Sequence, residues 1–440
     1  MTRTRTTRFA VIAAVAGLAL AACGGVDREG TRDNIVEQLA DAGVEIDADC
    51  VDAALDKYSD DELESIDRSQ SLRMLATAGA QVRRAVLSAD ESGIERWGPQ
   101  DRPRSVLVAA LGGSAPVPEV LELLAEQHSP VPVTTRRGGP LPGWVGALDL
   151  VIAVSQSGRA SGPLRLAAEA ARRGARLLTI GASDSPLAEV CARARGVHVD
   201  VATPTPSSRT ALWSLLTPAL RVADRLGIVD VPSEVFEETA TILDARAEEC
   251  RPSSESFVNP AKELALALSE AVPLVLGDGP LAGVAAGRMA SMLTRTARLP
   301  ATRGTLPDDA AQVVACFDGP LAAGATSSSG SPDAGAGIFR DPFLDGPATL
   351  PLALFLLRDA APAALTPEEV DRENLASAIA ASAGDSGVRV RELRADAASP
   401  LARLASLVAL GDYAATYAAL GLGLDPTGSA HVADLRARTR

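Results

Sequence analysis

The chain has 440 residues, 47% of them hydrophobic, and a formal net charge of −14. That length holds two or three domains with proper cores. The acidity, together with an aromatic content of only 3%, excludes the basic patch and the stacking platform that nucleic-acid binding needs.

Residues 1–23 read as a targeting segment. Arg3, Arg5 and Arg8 supply a positive start, and residues 9–22 form an apolar stretch. That stretch is shorter than the ~20 residues a membrane-spanning helix requires. It ends in Leu20-Ala21-Ala22-Cys23-Gly24, which resembles the lipobox of bacterial lipoproteins. The resemblance implies that Cys23 is diacylated and opens the mature chain, two acyl chains giving a stable anchor. The protein is then expected at the cell membrane. Without this extension in the mature protein, the expected place is the cytoplasm.

Residues 24–67 are acidic, with Ile35, Val36, Leu39, Val51, Ala54 and Leu55 at helical spacing, so a short helical segment is expected. A helix follows over 72–89. Apolar runs at 105–111, 131–135, 148–155, 176–181 and 197–201 then alternate with amphipathic stretches such as 163–173. Short continuous apolar strands separated by helices predict a parallel sheet covered on both faces. Helices over 208–226 and 233–249 close this lobe, and Arg251-Pro252-Ser253-Ser254 reads as a linker. A second series has strands at 272–277, 312–317, 350–358 and 388–394, and helices near 260–268, 281–295, 367–383 and 401–420. Residues 322–337, rich in Gly, Ala and Ser, read as a loop. The expected architecture is α/β, with two doubly wound lobes of parallel strands, 68–250 and 251–440, behind a short helical segment.

The five cysteines, Cys23, Cys50, Cys191, Cys250 and Cys316, form no Cys-x-x-Cys pair and have no histidine at a metal-ligand spacing. No metal is expected, and Cys191 and Cys316 read as packed thiols. Chemistry points instead to two turns. Leu111-Gly112-Gly113-Ser114-Ala115 follows the strand at 105–111, and Ser155-Gln156-Ser157-Gly158 follows the strand at 148–155. Ligands of doubly wound sheets bind at the carboxyl ends of strands. Glycine lets a ligand approach the backbone, the start of a helix offers N–H groups, and serine adds hydroxyls; together these suit a phosphate.

Those turns, with Pro142-Gly143-Trp144-Val145-Gly146 between them, resemble a sugar isomerase (SIS) domain. The pattern is similar to the bifunctional phosphoglucose/phosphomannose isomerase family, in its divergent actinobacterial TobH-like branch. Thr203-Pro204-Thr205-Pro206-Ser207-Ser208-Arg209, Asn259-Pro260-Ala261-Lys262 and Leu410-Gly411-Asp412-Tyr413 with Asp425-Pro426 follow the family's order over residues 69–440. The resemblance implies SIS-type lobes that bind a phosphorylated hexose, no cofactor, and pairing into a homodimer. It places Gly113, Ser114, Ser155 and Ser157 on the phosphate and Arg209 near the reacting carbons. The family's next threonine is Ala160 here, with Ser161 beside it as a substitute.

Active members of that family move a proton between C1 and C2 with a glutamate base, and a histidine opens the ring. The corresponding positions are Arg295 and Ala311, and the family's C-terminal lysine corresponds to Arg436. An arginine stays protonated and cannot serve as the base. Asp308, beside Asp309, and His431 are the candidates to replace the lost groups, with Arg436 keeping a charge. His128 and His198 read as structural. Three readings stay open: an isomerase with a rearranged or weakened site, a non-catalytic phosphosugar-binding or scaffold module, and a surface lipoprotein with another ligand. For the anchor, cells fed radiolabelled fatty acid should incorporate label into the wild-type chain and not into a Cys23→Ala variant; label retained in the variant rules out lipidation at Cys23.

Overall fold

The computed structural model describes residues 65–126, 129–201, 207–254, 258–322, 350–360 and 366–438. Cys23 with its leader, nearly all of the segment 24–67, and the loop 322–337 beyond its first residue lie outside them. Two helices come first, α1 (Ser71–Ala76) and α2 (Ala78–Glu91). The sequence predicts one helix here; it breaks at Thr77, whose hydroxyl donates to the Met74 carbonyl at 2.7 Å.

The first lobe is a five-stranded sheet of β1 (Val106–Ala110), β2 (Val133–Arg136), β3 (Leu150–Ser155), β4 (Arg176–Gly181) and β5 (Val197–Asp200). All pairings are parallel, in the order β2-β1-β3-β4-β5. Every residue of β1 and β3 is buried, because helices cover both faces of a parallel sheet. The helices are α3 (Pro116–Glu126), α4 (Ser161–Arg172), α5 (Pro186–Arg193), α6 (Leu212–Arg225) and α7 (Ser233–Glu249).

Helix α8 (Pro260–Ser269) opens the second lobe. Its Asn259-Pro260-Ala261-Lys262 start has a local physical role. Asn259 Oδ1 accepts from the Ala261 and Lys262 N–H groups, Pro260 sits where no donor is needed, and Lys262 Nζ donates to the Pro252 and Ser254 carbonyls at 2.5 and 2.9 Å. The motif thus pins the linker to the helix. The sheet consists of β6 (Val272–Asp278), β7 (Thr302–Leu306), β8 (Leu352–Arg358) and β9 (Arg389–Arg394), all parallel, in the order β7-β6-β8-β9. This repeats the order of the first four strands of lobe one.

Helix α9 (Pro280–Met292) runs into a π turn at Leu293–Ala297. The expected strand at 312–317 is instead α10 (Ala310–Ala315) and a 3-10 turn at Cys316–Asp318. Val313 and Phe317 are buried while Gln312, Ala315 and Asp318 are exposed, a spacing of four that belongs to a helix. The strand of this region is β7, an edge strand with two exposed residues. Helices α11 (Pro367–Asp385), α12 (Pro400–Gly421) and α13 (Ala430–Arg438) complete the chain.

One hydrophobic core joins the lobes, running from Val106 and Ile152 through Leu215 and Tyr417 to Val275 and Phe355. Among the described residues α12 is the one helix long and apolar enough to cross a membrane, but 89% of that stretch is buried inside the protein, so it serves as the core helix. Cys191 and Cys250 are buried and Cys316 is half-buried; burial pushes the first two thiols up, Cys250 to about 12.

Asp149, fully buried before β3, fastens the start of that strand. Its carboxylate accepts from Arg104 Nε and Nη2 at 3.0 and 2.6 Å, from the Ser105 hydroxyl at 2.8 Å and from the Gly146 N–H at 2.8 Å. Burial pushes this carboxyl up, but the four hydrogen bonds win and hold it below the usual carboxylate range. A folded value below the unfolded one gives stability that is present above the unfolded pKa and lost as pH falls through the folded one. Asp149→Asn should therefore cost about 2 kcal/mol at pH 7, and the gap to wild type should shrink as pH drops below about 4. Urea unfolding at several pH values measures this; a pH-independent gap would refute the account.

Candidate functional site

The carboxyl ends of β1 and β3 lie side by side at the point where the strand order reverses, the ligand position of doubly wound sheets. Both predicted serine turns stand there. Gly112–Ser114 forms a 3-10 turn leading into α3. The buried Ser114 hydroxyl donates to the Leu111 carbonyl at 3.0 Å and accepts from the Leu111 N–H at 3.3 Å, fixing the turn. Across from it, the buried Ser155 hydroxyl accepts from the Ala160 N–H at 3.3 Å, and the exposed Ser157 hydroxyl accepts from the Arg159 N–H at 3.4 Å. Ser161 is exposed at the first turn of α4. The structure thus puts the turns that carry Gly113, Ser114, Ser155, Ser157 and Ser161 at one mouth, at neighbouring strand ends before α3 and α4; the first turn of α3 has N–H groups at Val117 and Glu119 and none at Pro116 and Pro118, and α4 has them at Ser161 and Gly162 and none at Pro163.

Two glycines make the mouth's shape possible. Gly112 has φ of +70°, and a Cβ there would lie 3.5 Å from the Arg295 guanidinium. At Gly113 a Cβ would come within 2.4 Å of the Ser208 hydroxyl and 2.6 Å of the Ser208 carbonyl. The loop after β5 therefore packs directly on the β1 turn and brings Arg209 with it. Arg209 Nε donates to the Ser207 hydroxyl at 3.1 Å, Nη1 to the Arg295 carbonyl and to Thr296 Oγ1 at 3.5 Å, and Nη2 to the Thr427 carbonyl at 3.1 Å. Burial, then Arg295, Arg288 and Arg298, push this guanidinium down to about 10.

Lobe two thus contributes three arginines to a mouth built by lobe one. Arg288 of α9 is buried and forms a two-point ion pair with Asp412 of α12, at 2.9 and 2.8 Å. Its other donations reach the Gly113 carbonyl at 3.4 Å and the Arg209 carbonyl. Burial pushes the Asp412 carboxyl above the usual range, against the pull of Arg288. Arg298 donates to the Asp425 carbonyl at 2.9 Å and to the Gly428 carbonyl. Asp425 Oδ1 in turn accepts from the Thr427 N–H and hydroxyl at 2.8 and 3.0 Å and from the Gly428 N–H at 3.2 Å. The Asp412 carboxylate therefore holds Arg288, and the carbonyls of Asp425 and Gly428 hold Arg298, with that of Thr427 on Arg209.

The remaining candidates lie elsewhere or at the rim. Asp308 follows β7, whose last residue Leu306 pairs with Asp278, just before α9 begins. Arg295 lies beyond the other end of that 13-residue helix, so about 20 Å separates them along its axis. Asp308 is exposed there, and so is Ala311 on α10; neither is brought to the serine turns. Asp309 closes the turn after β7, its carboxylate accepting from the Thr305 N–H at 2.7 Å. His431 is exposed on α13, directly after the 425–428 turn that receives Arg209 and Arg298. Arg436 lies on the same helix, and its side chain is outside the description. His198 Nδ1 bonds the Thr179 hydroxyl at 2.7 Å within the sheet, a structural place.

The corresponding mouth of lobe two is filled. Asp278 and Arg358 end the paired strands β6 and β8 and meet at 3.2 Å. Glu373 and Glu392 approach the same buried guanidinium at 2.6 and 3.6 Å, and Arg372 meets Asp278 at 2.9 Å. Three carboxylates there oppose an anionic ligand.

With this geometry in view, residues 257–438 match the family described as the bacterial phospho-glucose isomerase C-terminal SIS domain. Over 196 residues the chain is 29% identical to the bifunctional phosphoglucose/phosphomannose isomerase of Caldicellulosiruptor bescii, covering 44% of this chain and 57% of that protein. The chain thus spans little more than half the length of this curated relative. Its fold is similar to that of a hypothetical protein from Thermus thermophilus, with TM-score 0.59, 14% identity, and 86% and 94% of the two chains covered. It is also similar to the C-terminal domain of glucosamine-fructose-6-phosphate aminotransferase from Francisella tularensis, with TM-score 0.54, 12% identity, and 81% and 97% covered. The α/β architecture expected from the sequence, two lobes each built on a parallel sheet, is the one observed.

Gly113→Ala should distort the β1 turn, because its Cβ meets Ser208 backbone that cannot rotate away. A loss of about 1–3 kcal/mol in stability is expected. Gly143→Ala, with nothing within 4 Å of its Cβ, should be neutral. Equal melting temperatures for the two variants would contradict this packing.

Proposed function

We propose that this protein binds a phosphorylated hexose in the lobe-one mouth. On this reading it acts in carbohydrate metabolism as a relative of the glucose-6-phosphate and mannose-6-phosphate isomerases, with turnover reduced or lost. The observation that carries the reading is the pair of Gly/Ser turns at the carboxyl ends of β1 and β3, facing the starts of two helices. The family match over the second lobe and the Caldicellulosiruptor bescii relative support the same substrate class.

Reduced turnover follows from what surrounds the mouth. Aldose–ketose exchange needs a base poised to take a carbon-bound proton and return it. Arg295 stands where the resemblance places that base. Asp425 is a carboxylate facing the arginines. Burial pushes it up, but the Thr427 and Gly428 donors and the Ser69 hydroxyl hold it below the usual range, which makes it a weak base. Loss of a positioned base lowers rates by about 100- to 10,000-fold. A non-catalytic phosphosugar-binding or scaffold role is the second reading, favoured by Arg295 itself. The actinobacterial branch, the diacylated Cys23 at the membrane and pairing into a homodimer belong to the same proposal and rest on resemblance.

Calorimetry on the full chain should show fructose 6-phosphate binding that weakens about tenfold or more in Ser155→Ala at unchanged melting temperature. A coupled assay with fructose, glucose and mannose 6-phosphates should find turnover absent or feeble, and any residual rate should survive Asp308→Ala. Absence of binding by all three sugars sinks the proposal. Fast turnover abolished by Asp308→Ala would show an active site assembled differently.

A further inference from the structure

The serine turns by themselves offer a phosphate few free donors. We infer that Arg137 and Arg159, from the loops after β2 and β3, are further phosphate ligands that close on it beside the first turn of α4. This rests on the reading of the mouth as a phosphosugar site.

The Ser114 hydroxyl already donates to the Leu111 carbonyl at 3.0 Å. Pro116 and Pro118 remove N–H groups from the first turn of α3, Glu119 adds a carboxylate to it, and Pro163 removes an N–H from the first turn of α4. Arg288 touches the Gly113 carbonyl, but its charge is answered by Asp412. A phosphate monoester carries about two negative charges at neutral pH. Hydroxyls and a few N–H groups can hydrogen-bond it, yet they cancel none of that charge.

Two arginines stand where a cation is needed. Arg159 belongs to the β3 turn itself: its N–H donates to the Ser157 hydroxyl at 3.4 Å, and α4 begins just after it at Ser161. Arg137 follows β2, the strand beside β1. A Cβ on Gly162 would lie 2.0 Å from the Arg137 carbonyl and 3.5 Å from Gly138 Cα. The loop after β2 therefore rests on the first turn of α4, and a glycine at 162 is what admits it. The two arginines thus reach the same helix turn, one along the chain and the other across space.

Both side chains are exposed, and among the described residues neither makes a hydrogen bond or an ion pair. Asp184, exposed on the neighbouring turn after β4, pairs with neither. No internal contact has to break before these guanidinium groups meet an anion. The planar fork of arginine matches two phosphate oxygens at once, and its apolar stem lets the head move to the ligand.

Calorimetry on the full chain tests this with fructose 6-phosphate. Arg159→Gln and Arg137→Gln should each weaken binding about tenfold, the loss of one charge-assisted contact. Melting temperatures should not change, because neither side chain has a partner to lose. The wild-type affinity should also fall more steeply with added salt than that of either variant, since salt screens an exposed charged contact. Arg193→Gln, an exposed change in the last turn of α5, away from the mouth, should bind as the wild type does. If either mouth variant keeps the wild-type affinity to within about twofold while Ser155→Ala loses it, the two-arginine grip is overturned and the phosphosugar reading stands. An equal loss in Arg193→Gln, or equal salt slopes, overturns it as well, because the effect then comes from the overall field or from shape. If the wild type binds none of fructose, glucose and mannose 6-phosphates, the phosphosugar reading itself falls, and this inference with it.

Discussion

The ion pair between Arg288 and Asp412 is the contact on which the site's shape depends. Both side chains are buried, one on α9 and the other on the core helix α12. Leaving one such charge unpaired costs about 3–5 kcal/mol, so the two helices are held at a fixed separation. Arg288 also reaches across the lobe boundary to carbonyls at Gly113 and Arg209. The position of the β1 turn in lobe one is therefore set from lobe two. A change in how α9 meets α12 would be felt at the mouth before it reached any strand of the first sheet.

The remaining arginines extend this logic. Arg209 is held by carbonyls from the π turn and from the 425–428 turn, and Arg298 by the latter alone. The π turn offers the Arg295 carbonyl to Arg209, while the Leu293 carbonyl accepts from the Arg298 and Leu299 N–H groups that follow it. An acidic protein, of formal net charge −14, thus brings four guanidinium groups near one another at this boundary between the lobes.

Much of the fold could be read from the sequence wherever burial is complete. Strands β1, β3, β4, β6 and β8 are apolar on both faces and stood out as continuous runs. Edge strand β7, with its polar Thr302 and Arg303, carries no such signal, and the apolar run at 312–317 misled because burial there follows a four-residue spacing. Around the mouth, the Gly/Ser turns and Arg209 were legible because local turn chemistry needs those residue types. Arg288 and Arg298 were not, since their roles arise only when lobe two meets lobe one. One signal was available: α9 is otherwise apolar, and a single arginine buried in such a helix requires an acid elsewhere. Asp412, an acid inside the equally apolar α12, is that partner. Asp308, close to Arg295 in sequence, lies a helix length from it in the fold, because β7 carries the chain back to the end of the sheet where α9 begins.

The filled mouth of the second lobe has a further meaning. Two sheets that share the order of four strands each possess a natural opening, yet Asp278, Arg358, Glu373 and Glu392 occupy one of them with the chain's own charges. That lobe has become self-liganded: side chains satisfy one another where a guest would sit. Its work is consequently done at the other end, where α9 delivers arginines to its neighbour. Among the described residues the two lobes therefore differ: lobe one keeps its Gly/Ser turns at the strand ends, and lobe two fills the matching place with its own ion pairs.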